Sequence, residues 1–105
     1  MLRDLRTGSP EVMKAFSSMA QSALAPKALD TKTKELIALA IGVATRCDDC
    51  IAFHAKAAVD QGATDDEVLE TLGMAVYMGA GPSVMYASYA YQAYRQFAGL
   101  KTPKV

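Results

Sequence analysis

Glu35-Leu-Ile-Ala-Leu-Ala-Ile-Gly-Val-Ala-Thr-Arg-Cys-Asp-Asp-Cys-Ile-Ala-Phe-His54 begins in a run that is apolar on every face of a helix and ends in a segment opened by two cysteines. Asp30 or Thr31 can cap the first helix, which should run to about Thr45 as a buried central element. The second should begin within Cys47-Asp-Asp-Cys50, with acids in the first turn where a helix dipole favours them, and end at Gly62, a residue suited to the left-handed position after a helix. So short a connection predicts an antiparallel hairpin turning near residues 45 to 47.

Outward from this pair the punctuation is helical throughout. Upstream, Ser9-Pro10-Glu11 reads as a helix start, with Ser9 as N-cap and proline at the first helical position, and that helix should end near Ala25-Pro26. Downstream, Thr64-Asp-Asp-Glu67 matches a capping box, and Val68, Leu72, Ala75, Val76 and Gly79 form the apolar face of the next helix. Gly79-Ala-Gly-Pro82 breaks that helix, and a last one from about Pro82 to Phe97 leads into a short polar tail, Lys101-Thr-Pro-Lys-Val105. The expectation is an all-α bundle of about five helices, with no strand, repeat or linker.

The 105 residues are expected to form one domain, 1-105, whose core is modest for a monomer. Hydrophobic residues make up 51% of the chain at zero formal net charge, a combination that favours burial against another subunit. Lys and Arg are scattered without a basic stripe, so nucleic acid is not an expected partner. The start, Met1-Leu-Arg-Asp-Leu-Arg6, lacks the continuous apolar stretch of a signal peptide and no later run approaches the length of a membrane span, so membrane association is not expected and a cytoplasmic location is. In a reducing cytosol, paired cysteines are more often catalytic or metal-binding than structural.

The hairpin holds the chain's only two cysteines and its only histidine, in the run Glu35-x11-Cys47-x2-Cys50-x3-His54. On a helix, positions 47, 50 and 54 fall within an arc of ~60°, so both sulfurs and the imidazole share a face. Residues 35 and 54 lie symmetrically about the turn, which sets Glu35 and His54 at similar heights on facing helices, within reach directly or through one water. Each residue alone has a plainer explanation: Glu35 serving the dipole of its own first turn beside Lys32 and Lys34, His54 a core histidine between Phe53 and Ala55, the thiols small buried hydrophobes. Together, the four are the types and spacing that a thiol relay needs, since a base or a helix N-terminus favours the nucleophilic thiolate. A tetrahedral zinc site built from two thiolates, an imidazole and a carboxylate is a second arrangement. Tyr77, Tyr86, Tyr89 and Tyr94, with Met74, Met78 and Met85, are better explained as core or subunit interface than as a substrate channel.

The four-residue run, preceded by Leu29-Asp-Thr-Lys-Thr-Lys-Glu-Leu-Ile37 and followed by Gly62-Ala-Thr64 and Tyr77-Met-Gly-Ala-Gly-Pro82, resembles the alkylhydroperoxidase D-like branch of the carboxymuconolactone decarboxylase family over roughly residues 26 to 82. The resemblance implies an all-helical fold and a thiol-dependent peroxidase that needs no cofactor and no metal. Cys50 would attack a hydroperoxide and become a sulfenic acid, His54 supported by Glu35 through water would move the protons, and Cys47 would resolve the sulfenic acid as a disulfide. It further implies an external dithiol reductant, such as a lipoyl-bearing protein, and a homohexamer, with a trimer as the second choice. Asp49 departs from alkylhydroperoxidase D proper, which has histidine there, and an acid beside the thiol opposes thiolate formation. A lactone-acid decarboxylase and a noncatalytic redox sensor are the other functions weighed.

Overall fold

The computed structural model describes residues 2–100, so the predicted tail from Lys101 lies outside the described residues. They form six helices and no strand: α1 (Leu2–Gly8), α2 (Pro10–Leu24), α3 (Thr31–Ala44), α4 (Asp48–Asp60), α5 (Asp65–Gly79) and α6 (Pro82–Phe97). The chain divides into two compact units, Met1–Asp30 and Thr31–Val105.

In the first unit α1 and α2 contact one another, and neither contains a buried residue. Helix α1 is absent from the sequence expectation of about five helices. Seven residues with no N-cap signal are too few to stand out, since isolated helices this short are marginal in water. Ser9 occupies the N-cap position of α2 as expected, but its side chain makes no capping hydrogen bond. Instead, its backbone N–H donates to Leu5 O (2.8 Å) and its carbonyl accepts from Met13 N (3.1 Å), which links the two helices through main-chain groups.

The second unit is a four-helix arrangement in which α3 packs against α4, α5 and α6. Its core is built from Leu39, Val43, Ile51, Val68, Leu72 and Tyr94 with alanines 55, 58, 75, 87 and 90, small residues that let the helices approach closely. Leu39, Gly42 and Val43 put one side of α3 inside, yet Ile37 and Ile41 on its other side are 44% and 57% exposed. The expectation of a helix buried all round is therefore met on one face only. An apolar pattern records that a face avoids water, not which chain covers it.

The α3–α4 connection is closed by its own backbone. Cys47 N donates to Gly42 O (2.9 Å) and Arg46 N to Val43 O (3.1 Å), the paired bonds of a Schellman motif, with Arg46 in the left-handed conformation (φ 58) where glycine is usual. Cys47, the residue that completes this motif, is also the N-cap of α4. One residue thus ends one helix and starts the next, which makes the hairpin tight and fixes the height of α4 against α3.

Helix α4 ends at Gly62 (φ 79) as expected, and α5 opens with the expected capping box: Glu67 N to Thr64 Oγ1 (3.1 Å) and Thr64 N to Glu67 Oε1 (2.8 Å). Glu67 also accepts from Lys32 Nζ at 2.8 Å, tying the start of α5 to the first turn of α3. Lys32, followed by the Thr64 N–H, holds the Glu67 carboxyl below its usual 4.5. At the α5–α6 break the strained residue is Ala80 (φ 63, ψ −161), not a flanking glycine, and Pro82 starts α6. Tyr94 OH donates to Ala63 O (2.9 Å), while Arg95 and Tyr91 converge on Asp65, so the far end of α6 is held to the start of α5. Burial, then the charge of Asp65, raises Tyr94 above its usual 10.

Candidate functional site

Cys47 and Cys50 are joined as a disulfide across the first turn of α4, with their Cα atoms 5.2 Å apart. The Cys47 side chain also caps the helix: its Sγ accepts from the backbone N–H of Cys50 at 3.3 Å. Backbone donors at a helix N-terminus have no intrahelical partner and carry its positive dipole end, so this is a position that favours sulfur as an anion.

One turn further along α4, His54 Nδ1 lies 2.7 Å from Glu35 Oε1 on α3. The Glu35 side chain is 8% exposed and that of His54 24%, so the carboxylate is anchored inside while the imidazole reaches the surface. A carboxylate can only accept here, so Nδ1 donates and Nε2 is left as the basic nitrogen. Cys50 and His54 are i,i+4 neighbours, ~5–6 Å apart at Cβ on one helix face. All four residues singled out in the sequence are brought together at the α3–α4 hairpin. The Glu35–His54 contact is direct, where the family resemblance implies an intervening water, and Lys32 pairs with Glu67.

Two contributors were not anticipated. Phe53 is 73% exposed, and its ring meets that of His54 edge-on at a centroid distance of 5.7 Å, so an apolar ring flanks the imidazole at the surface. Gly42 seats the redox pair from the opposite helix. A Cβ on it would lie 3.2 Å from Cys50 Cβ and 3.6 Å from the Cys50 carbonyl carbon, and its own carbonyl accepts the Cys47 N–H. The available signal was a glycine inside an apolar helix, which often marks a close approach. Gly42→Ala is expected to lower stability by ~1 kcal/mol through overpacking and to displace Cys50 from α3. Gly73→Ala, where nothing lies within 4 Å of the added carbon, is expected to raise stability by ~0.5–1 kcal/mol. Denaturant midpoints check both, and equal shifts of the same sign would refute the seating role.

A shallow depression of about 300 Å³ between α4 and α6 is lined by Asp48, Ile51, Ala52, Tyr89 and Ala93. None of Cys47, Cys50 and His54 lines it. Of the tyrosines and methionines assigned to core or interface, Tyr94 is buried and Tyr86 packs on the core, whereas Tyr77, Met74, Met78, Met85 and Tyr89 are exposed. Among the described residues no three His, Cys, Asp or Glu side chains converge to hold a metal ion. No helix among them is long and apolar enough to cross a membrane.

The profile of the carboxymuconolactone decarboxylase family matches residues 10–93. The chain belongs to this family. A carboxymuconolactone decarboxylase family protein of Legionella pneumophila, solved in its apo form, is 55% identical, with a TM-score of 0.89 over 92% of this chain and 87% of that one. A family member from Thermotoga maritima, for which an involvement in the antioxidative response has been suggested, is 30% identical, with a TM-score of 0.84 over 93% and 84% of the two chains. An uncharacterised protein of Cupriavidus necator is 40% identical over 82% of this chain and 76% of its own length. The all-helical fold expected of the alkylhydroperoxidase D-like branch of the carboxymuconolactone decarboxylase family agrees with these neighbours.

Proposed function

We propose that this carboxymuconolactone decarboxylase family member is a thiol-dependent hydroperoxidase acting in antioxidant defence. The observation that carries it is a Cys47–Cys50 disulfide one helical turn from a bonded Glu35–His54 pair. A buried carboxylate holding Nδ1 leaves Nε2 to take the proton of the Cys50 thiol. The Cys50 thiolate attacks the distal peroxide oxygen, the O–O bond breaks, and the leaving alkoxide takes the proton back. Cys47 then attacks the resulting sulfenic sulfur, expelling water and closing the disulfide. An external dithiol, a lipoyl-bearing protein being one such partner, supplies two electrons to reopen it. The suggested antioxidative involvement of the Thermotoga maritima relative supports the same reading. A reducing compartment such as the cytoplasm is where this cycle would run.

The test is mass spectrometry of the reduced protein after a stoichiometric pulse of an organic hydroperoxide. Rapid conversion of both thiols to one intramolecular disulfide is expected. Thiols that survive excess peroxide would overturn the proposal and turn attention to lactone-acid decarboxylation.

The proposed assembly is a homohexamer, with a trimer second. Ile41 on α3, Tyr77 and Met78 on α5, and Val84 and Met85 on α6 are all more than half exposed, a large apolar surface for one small chain to leave in water. Sedimentation velocity reads the mass, and a monomer at micromolar concentration would overturn it.

A further inference from the structure

The two sulfurs are served by different devices, and the difference assigns them different roles in reduction. Cys47 Sγ sits at the N-cap of α4 and already accepts the Cys50 N–H at 3.3 Å, so charge placed on it meets a fixed backbone donor and the dipole of the helix. Cys50 lies in the third helical position, one turn before His54, and depends on a proton carrier whose other nitrogen is held by Glu35. Asp48 and Asp49 lie in the same turn as both sulfurs and do not separate them.

In thiol–disulfide exchange the attacking thiolate bonds to one sulfur while the other leaves with the electron pair, and the sulfur better stabilised as an anion leaves faster. We infer that the reductant attacks Cys50 and expels Cys47 into its own helix cap, so that the mixed disulfide forms on Cys50. This rests on the dithiol–disulfide cycle proposed above and extends it by fixing the route of the electrons.

One thiol of the partner dithiol gives up its proton and, as a thiolate, forms an S–S bond with Cys50 Sγ as the Cys47–Cys50 bond breaks, leaving the electron pair on Cys47, which then takes up that proton from solvent. The partner's second thiol gives its proton to His54 and attacks the partner's own first sulfur. The mixed disulfide breaks, the pair returns to Cys50, and His54 passes the proton to it. The partner ends as a disulfide and the protein as two thiols, two electrons and two protons having moved. Cys50 then receives both the oxidant and the reductant, while Cys47 meets neither and acts only within the chain.

The experiment uses the full chain, with the disulfide closed by diamide so that exchange is read independently of peroxide. Oxidised protein is mixed with excess glutathione, stopped at early times with N-ethylmaleimide, and cleaved before Asp48 and Asp49, which places the two cysteines on different peptides. The expected result is glutathione on Cys50 and maleimide on Cys47, favoured over the reverse isomer by at least about five to one. Glutathione mainly on Cys47, or an even split, would overturn the inference while leaving the peroxidase proposal untouched. Failure of peroxide to close the disulfide, read in the separate pulse experiment, would strike that proposal alone.

Discussion

Replacing Cys50 with serine is expected to abolish peroxide consumption, and replacing Cys47 with serine is expected to leave a protein that still reacts once. The asymmetry follows from the hairpin. Only Cys50 is one turn from His54, whose Nδ1 is engaged by Glu35, so only Cys50 can hand its proton to a nitrogen built to hold it. A serine hydroxyl at 50 is a far weaker nucleophile and accepts no oxygen from a peroxide, so turnover should fall to the uncatalysed background. In Cys47→Ser the first step survives: Cys50 becomes a sulfenic acid that a dimedone adduct reveals by mass, but no disulfide closes and turnover stops after one equivalent. Serine can occupy the N-cap and accept the residue-50 N–H in place of sulfur, so the fold at the start of α4 is retained. Equal residual turnover in the two variants would sink the assigned roles.

These roles rest on residues whose meeting was legible from spacing, and the reason is local. The turn between α3 and α4 is so short that residues equidistant from it must face each other, and Glu35 and His54 do. The capping box at Thr64 and the span of α6 from Pro82 to Phe97 were equally legible, because caps and proline act through neighbouring backbone groups. What escaped depends on tertiary contacts or on residues acting against type. Arg46 and Ala80 take left-side conformations that their side chains do not advertise. Gly42 matters because of Cys50 on the facing helix, and a glycine gives no sign of what approaches it. Helix α1 has too short a pattern, and the exposed side of α3 carries the same residues that a buried one would. Even the capping sulfur of Cys47 is visible in the sequence only as a cysteine near a helix start, because its hydrogen bond with the Cys50 N–H depends on the tight turn that sets the sulfur over the helix end.

Glu35→Gln should be the most informative change outside the cysteines, lowering the peroxide reaction rate by ~100-fold with the fold retained. Glutamine has the shape of glutamate, and its carbonyl oxygen can still accept from His54 Nδ1, so the imidazole keeps its place. The negative charge is lost, however, and with it the stabilisation of the imidazolium that the proposed transfer of the Cys50 proton to His54 would form. That charge acts from a side chain only 8% exposed and 2.7 Å away, where water screens it weakly. The midpoint of Cys50 alkylation against pH should accordingly rise toward ~8.5, the value of an unassisted thiol. Glu67→Gln is the contrast. Glu67 pairs with Lys32 and caps α5, and its carboxyl is held low by Lys32 and the Thr64 N–H. A lowered folded-state value contributes stability above the ordinary carboxyl range, and that contribution is lost as the pH falls through it. Glu67→Gln should therefore weaken the fold near neutral pH and flatten its acid dependence, while leaving the thiol titration where it was. If Glu35→Gln behaves as Glu67→Gln does, with stability lost and the alkylation profile unmoved, then Glu35 is a structural partner of His54 and the proton relay is wrong.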